Sequence, residues 1–342
     1  MVSQCTRFAI TEGFSREILI NYEKEIQATP KGFSKYLINK EKGNKEYDKF
    51  ISDNALYSIH PKANGYVWNS FSFITNLIID ISVNTIDTPI SPILNELLVE
   101  AIEIRYLIRS QKKLEQYLTK ISGVSLRTIH IVIKDMEVDE KYLSRLFSHP
   151  LIKNIALPIS FKKSLTLDVI HKDMSQGISF YDPEEKSLIN LHITPSYELV
   201  SESKEYHTYF NRKLYISSSC QVKNAPESTE EFADIRLIDC KELKTIVQSI
   251  AFQKYWRVTK DNCDVCSDCE FRNICVDRRI PKQREERWYH EKECNYNPYI
   301  NKWKGETGYV SLQTTGIISS AKTFRIDSDN VAYLNRILWE EI

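Results

Sequence analysis

Ile74-Thr75-Asn76-Leu77-Ile78-Ile79-Asp80-Ile81 decides the fold class of this chain. The segment is of strand length and apolar almost throughout. That is the pattern of a strand buried on both faces of a parallel sheet, not the alternation of one with a wet face. Downstream of it, helix and strand take turns. Pro92 sits in the first turn of a helical segment carrying Ile93, Leu94, Leu97 and Leu98. Ile102 to Ile108 alternates as a strand, and Ser110 caps a helix with Leu114, Tyr117, Leu118 and Ile121. Thr128 to Ile133 is the next strand. Asp139 caps a helix with Tyr142, Leu143, Leu146 and Phe147, which Pro150 ends. Further strands are expected at Asn154 to Pro158 and Leu188 to Ile193. This repetition predicts an α/β fold with a parallel sheet, open or partly closed into a barrel.

Upstream, residues 1–60 read as a small α+β module. Thr6 to Ile10 and Glu17 to Ile20 form short strands around a turn at Gly13. Pro30 opens a helical pattern with Phe33, Tyr36 and Leu37, and Tyr47, Phe50 and Ile51 repeat the spacing. Two strands followed by helices resemble the winged-helix element of peptide-maturation proteins, which binds a leader peptide as an added strand; a plain structural cap explains the pattern equally well.

Composition excludes several function classes. The 46 Lys and Arg balance the 46 Asp and Glu, so no basic excess points to nucleic acid. No apolar run is long enough to span a bilayer, and "MVSQCTRFAITEGFSR" lacks the apolar region of a signal peptide. A cytoplasmic protein without membrane partners is expected.

The chemistry concentrates in residues 263–275, Cys-Asp-Val-Cys-Ser-Asp-Cys-Glu-Phe-Arg-Asn-Ile-Cys, with a later Cys294. Cys263, Cys266, Cys269, Cys275 and Cys294 are therefore candidate metal ligands. Short C-x2-C steps let two thiolates reach one centre from one turn of backbone, and a distant cysteine closes the shell from another side. Chance burial of free cysteines is the bland alternative, but the neighbours are Asp, Ser, Glu, Arg and Asn rather than a core pattern. Clustered cysteines in such a chain imply a reducing compartment and metal, not disulfides.

Cys266-x2-Cys269-x5-Cys275, with "CEFRNIC" and the late Cys294, resembles the SPASM domain found at the C-terminus of radical SAM enzymes that modify ribosomal peptides. The resemblance implies that Cys266, Cys269, Cys275 and Cys294 bind one [4Fe-4S] cluster. Cys263 has no place in the pattern and stands as a spare or substitute ligand. Residues of a first auxiliary cluster are missing: Val276 to Arg279 follow Cys275 without a cysteine, and "SSSCQVKNAPES" has Cys220 near a glycine position and Ala225 where a cysteine belongs. The order of elements further resembles the partial barrel of radical SAM enzymes. Their catalytic cluster needs C-x3-C-x2-C after the first barrel strand, and here that loop reads "SVNTIDTPISP".

Together these resemblances imply a degenerate radical SAM-like partial (β/α) barrel with a small N-terminal α+β module and a C-terminal cysteine-rich SPASM domain. The expected segments are 1–60, 61–204 for the barrel, 205–308 for the SPASM-like domain and 309–342 for a tail without functional signal. The implied role is that of the pseudo-radical-SAM proteins of grasp-with-spasm systems: maturation of a ribosomal precursor peptide, beside an ATP-grasp-type ligase, with no SAM expected. Alternatives are a redox enzyme or electron relay using the single cluster, and a zinc-stabilised peptide-binding module, since four thiolates suit zinc equally. Whether the chain is itself catalytic is left open.

Other polar residues read first as structural. Asn211, Arg212, Lys213 and Arg272 could meet a peptide carboxylate or the cluster, against surface ion pairing. His130 and His192 fall in strands and read as buried, hydrogen-bonded histidines. Cys240 reads as packing. Lys260, Arg278, Arg279, Lys282, Arg284 and Arg287 give a basic face near the cysteines, broken by Glu285 and Glu286.

Overall fold

β1 (Phe8–Glu12), β2 (Glu17–Asn21) and β3 (Ile26–Ala28) form an antiparallel sheet in the order β1-β2-β3, followed by α1 (Phe33–Asn39) and α2 (Lys45–Asp53). The computed structural model describes residues 8–22, 26–39, 43–54, 56, 68, 70–121, 123–165, 176–184 and 195–339. Cys5, His192 and the strand expected at Leu188 to Ile193 lie outside them. The period of two in β2 serves two cores. Leu19 packs with Phe33, Tyr36 and Leu56, while Ile18 and Ile20 pack with Val200 and Ile274. Asn44 caps α2 by accepting from the Glu46 and Tyr47 amides.

The chain divides into two compact units, both discontinuous in sequence. One joins Asn69–Ser187 to Phe210–Lys254, and the other joins Met1–Trp68 to Leu188–Tyr209 and Tyr255–Ile342.

The first is a mixed α/β unit around a mostly parallel sheet. Its strands are β4 (Asn76–Ile81), β5 (Ala101–Tyr106), β6 (Thr128–Ile133), β7 (Ile152–Pro158), β8 (Gly177–Tyr181), β9 (Lys213–Ile216), β10 (Gln221–Lys223) and β11 (Ala233–Asp234). The order is β11-β10-β9-β4-β5-β6-β7-β8, parallel from β9 to β8, with β10 and β11 antiparallel at one edge. β4 lies between β5 and β9, and its last five residues are all buried, as its apolar run requires. β5 and β6 alternate instead. Ile102, Ile104, Ile129 and Ile131 are fully buried, and Glu103, Arg105 and His130 are half-buried.

α3 (Ile90–Glu96), α4 (Gln111–Ile121) and α5 (Glu140–Phe147) follow β4, β5 and β6 in turn. α4 buries Leu114, Tyr117, Leu118 and Ile121, each side chain contributing roughly 1.5–3 kcal/mol. Asp139 caps α5 through the Tyr142 amide at 2.7 Å. β8 has no strong strand signal in the sequence. β9 starts at Lys213, just after Arg212 turns the backbone into the left-handed region at φ 46°.

The second unit adds α6 (Tyr197–Ser203) and three small hairpins: β12 (Lys282–Arg284) with β13 (Arg287–Tyr289), β14 (Tyr296–Asn297) with β15 (Lys302–Trp303), and β16 (Ile317–Ser319) with β17 (Phe324–Ile326). α7 (Cys240–Gln248), which belongs to the first unit, opens with a capping box between Asp239 and Glu242. α8 (Leu312–Thr315) and α9 (Ser328–Trp339) complete the tail. Val265, Tyr299, Leu312, Ile317 and Val331 form a core that ties this tail to the cysteine loop.

Candidate metal centre

The cysteine loop is wound by short-range backbone hydrogen bonds. Cys263 N donates to Lys260 O at 3.1 Å, Ser267 N to Cys263 O at 2.9 Å and Cys269 N to Cys266 O at 3.0 Å. These close successive turns, with a 3-10 turn at Cys266–Asp268. Val265 enters that turn at φ 66°, a conformation costly for a β-branched residue. Its side chain is held in the tail core, which compensates for the strain.

The loop gathers the expected thiols. Burial pushes the Cys269 thiol well above its ordinary value, with further increments from Glu270, Cys275, Cys294 and Cys266. Burial likewise drives Cys275 up to about 12, with Lys260 opposing and Asp277, Cys294 and Cys266 adding. Cys294 is raised by burial against the pull of Arg279, and it too feels Cys266. Cys266, Cys269, Cys275 and Cys294 thus lie within electrostatic reach of one another. Cys263 is fully buried beside Cys266, Val258 and Trp288, and burial followed by Cys266 pushes it up to about 12. Two sulfurs accept hydrogen bonds: Cys294 Sγ from Tyr296 N at 3.4 Å and Cys266 Sγ from Arg279 Nη2 at 3.9 Å.

Two residues of the expected basic face, Lys260 and Arg279, belong instead to a buried ion cluster beside the thiols. Asp277 is 1% exposed and receives Lys260 Nζ at 2.9 Å and Arg279 Nη2 at 2.7 Å. Burial opposes its charge, but Lys260, Arg279 and His290 hold the carboxyl well below the usual range. His290 Nε2 stands 3.5 Å from the same oxygen. Burial and Arg279 depress that imidazole to about 3, so it is neutral. Three further basic residues are paired: Lys282 with Glu291, and both Arg284 and Arg287 with Asp264.

The donor set fits a centre with net negative charge. Lys260, Arg279 and Asp277 sum to one positive charge. Four thiolates around a dipositive core carry two negative charges, leaving one negative overall. A second grouping, Cys266, Asp277 and His290, has its ligand atoms within 4.8 Å of one another. A dication held there would be neutralised by Cys266 and Asp277, leaving Lys260 and Arg279 as two buried, uncompensated charges. The thiol set is electrostatically the better of the two.

The N-terminal hairpin is bound into this centre. Phe14 N donates to Asp268 O at 2.7 Å, and Arg16 Nε meets Glu270 Oε1 at 2.5 Å. Glu270 is fully buried next to Cys269 and also accepts from Tyr296 OH at 2.5 Å. Gly13 makes the approach possible, since a Cβ there would stand 2.8 Å from Glu270 N and 2.9 Å from Glu270 Cβ. Arg272 spans the same seam, donating to Glu12 O, to Cys269 O and to Asp261. Its role is structural.

Other candidates fall elsewhere. Cys220 and Cys240 belong to the parallel-sheet unit, where Cys220 Sγ contacts Asn84 O at 3.4 Å and Cys240 begins α7. Arg212 Nη1 clamps the Ser70 and Ser72 carbonyls at 2.7 and 2.6 Å. Asn211 and Lys213 are buried beside it in the chain. His130 is half-buried in β6, and burial lowers its pKa. A cleft of about 360 Å³ opens beside Cys266, with Arg279, His290 and β16 in its lining. The sequence carries no signal for this cleft, nor for the role of Glu270.

Compared with protein-family models, curated proteins and solved structures, the chain matches none.

Proposed function

We propose that this chain is a SPASM-type protein that holds one iron–sulfur cluster through Cys266, Cys269, Cys275 and Cys294 and acts in maturation of a ribosomal peptide without cleaving SAM. The observation that carries it is the mutual reach of those four thiols, Cys266 buried and the other three half-buried, backed by Lys260 and Arg279. When bound, a cluster with four cysteine ligands has no open iron and supplies structure or electron transfer. The chain's own residues orient it. Tyr296 N and Arg279 donate to sulfur, Asp277 fixes the two cations, and Glu270 joins the N-terminal hairpin to the centre.

Two features of the parallel-sheet unit support the family reading. Strands β4 to β8 run parallel in sequence order, as the strands of a partial barrel do. Cys220, near the family's glycine position, has φ 69°, a conformation that favours glycine. The loop after β4 offers no thiolate for a SAM-binding cluster. It is held by Thr85 Oγ1 donating to Asp80 O at 2.6 Å and Ser82 Oγ to Ser218 O at 2.9 Å. The hairpin and its helices, with a precursor peptide and an ATP-grasp-type ligase as partners, complete the proposal.

A zinc-stabilised binding module is the second reading, favoured by the all-thiol donor set. Anaerobic purification with iron, sulfide and zinc analysis separates the two. Iron and sulfide with visible absorbance are expected; stoichiometric zinc in a colourless protein would replace the first reading with the second.

A further inference from the structure

Asp80 is a buried carboxylate with one oxygen unused. It is 9% exposed and sits in β4 of the parallel-sheet unit. Its Oδ2 accepts from Tyr215 OH at 2.7 Å, whereas Oδ1 has no hydrogen-bond partner among the described residues. Burying such an oxygen without a donor costs free energy, and native proteins rarely leave one so. The facing cation is committed elsewhere. Arg105 stands opposite Asp80 in the β4–β5 register, yet its Nε meets Glu103 Oε1 at 2.6 Å and its guanidinium lies over the Tyr215 ring, 6.0 Å from the centroid.

Register places more polar groups on the same side of the sheet. Glu103 lies opposite His130 on β6, and His130 lies opposite Asn154 on β7. Asn154 Nδ2 donates to Ser179 Oγ of β8 at 2.9 Å. Alternation turns these side chains away from the fully buried Ile102, Ile104, Ile129 and Ile131. Glu103, Arg105, His130 and Asn154 are half-buried and Ser179 is exposed, where a parallel sheet covered on both faces would close the row off. Asp80 and Arg105 each stand one residue from the carboxyl end of their strands, the end at which parallel sheets bind ligands.

Charge and geometry name the missing donor. Asp80, Glu103 and Arg105 sum to one negative charge, and the Tyr215 phenol feels Glu227 as a further carboxylate. Burial lowers the pKa of His130, so it adds no positive charge at neutral pH. A metal ion is disfavoured, because no three metal-ligating groups converge here among the described residues. A guanidinium favours both oxygens of a carboxylate, and Tyr215 already holds one. An ammonium needs a single oxygen, and in lysine it rides on a flexible four-carbon stem that can reach a buried atom from a half-buried face.

We propose that this face of the parallel sheet binds a lysine side chain of a peptide, its ammonium donating to Asp80 Oδ1 while the peptide lies over His130 and Asn154. Two carboxylates, Asp80 and Glu103, then face two cations. The proposal rests on the peptide-handling role above and names the side chain that role selects.

The test uses the full chain, purified with its metal, and a blocked alanyl-lysyl-alanine tripeptide as probe, followed by titration calorimetry. The norleucine analogue, which lacks the ammonium, and n-butylamine, which lacks the peptide, are the controls. The lysyl tripeptide should bind the wild type, and both controls should bind at least tenfold more weakly. Asp80→Asn keeps the shape and removes the charge, and should weaken the tripeptide about thirtyfold, the worth of one hydrogen bond to a charged group. Arg105→Gln removes a like charge and should bind no more weakly than the wild type. Independently of any variant, the ring resonances of His130 should shift when the lysyl tripeptide is added to wild type, and not with the norleucine analogue. No binding, equal binding by a folded Asp80→Asn, n-butylamine as tight as the tripeptide, weaker binding by Arg105→Gln, or unmoved His130 resonances would each overturn the proposal. Metal analysis of the same samples keeps the two readings apart. Cluster without lysine binding defeats this inference alone, and lysine binding in a protein without iron defeats the cluster assignment alone.

Discussion

Replacing Asp277 by Asn separates the two possible metal groupings by opposite outcomes. The carboxylate lies 2.9 Å from Lys260 and 2.7 Å from Arg279, and all three side chains are less than a tenth exposed. Asn keeps the shape and removes the charge. In metal-free protein two buried cations are left without a counter-ion, and breaking such a pair costs about 3–5 kcal/mol. In the loaded protein the same two cations face a four-thiolate centre carrying two negative charges. The local sum moves from one negative charge to zero, so the loss there should be roughly half as large.

By linkage the difference, on the order of 2 kcal/mol, must reappear as tighter metal binding in Asp277→Asn, about thirtyfold. The assay is denaturant unfolding of loaded and chelator-stripped protein, wild type and variant, together with zinc competition against a chelator of known affinity. Were Asp277 a ligand with Cys266 and His290, the variant would instead lose the metal. A folded Asp277→Asn whose metal binding is weakened would refute the charge reasoning and the thiol-only donor set together.

Single Cys→Ala changes at Cys266, Cys269, Cys275 and Cys294 should each abolish metal retention, while Cys220→Ala and Cys240→Ala retain it at one cluster per chain; full occupancy in Cys294→Ala would implicate Cys263. Reduced, reconstituted protein given SAM should form no 5′-deoxyadenosine above a protein-free background, and turnover would overturn the pseudo-radical-SAM reading. Gly13→Ala should destabilise the N-terminal hairpin by about 1–3 kcal/mol, because its Cβ meets backbone and not a flexible tip, and earlier proteolysis of residues 8–21 is the readout. His290 is depressed from 6.5 to about 3 by burial and Arg279, so the unfolded chain binds a proton that the folded one refuses. Metal-free protein should therefore lose stability as pH falls from about 6.5 towards 3, by up to ~1.4 kcal/mol per pH unit, and His290→Gln should flatten that slope.

Local rules made much of the parallel-sheet unit legible. The apolar run at Leu77–Ile81, the alternation in β5 and β6, and the cap at Asp139 each encode one element in a few neighbouring residues. Cysteine spacing likewise marks the site, because C-x2-C steps are local. What the chain does not announce is which charges are buried. Arg278 and Arg279 are adjacent and identical in type, yet Arg279 is a buried partner of Asp277, and Lys260 reaches the same carboxylate from 17 residues away. A basic face and an ion cluster have the same composition and differ only in tertiary placement. Gly13 is similar. It reads as a hairpin turn, whereas its lack of a side chain also serves a contact with Glu270 more than 250 residues away.

These long-range contacts bear on what the centre does for its own unit. The hairpin leans on Asp268 and Glu270, the residues flanking Cys269. The tail leans on Val265, next to Cys266, in a conformation that its packing must sustain. Both attachments are therefore made to the loop in which burial raises the thiols of Cys263, Cys269 and Cys275. A metal bound by these thiols would displace their protons, so its affinity would rise with pH, and it would fix the loop that the hairpin and the tail grip. On the proposed assignment, removing any one ligand would act on all three segments together, so the loop would set the cooperativity of this unit.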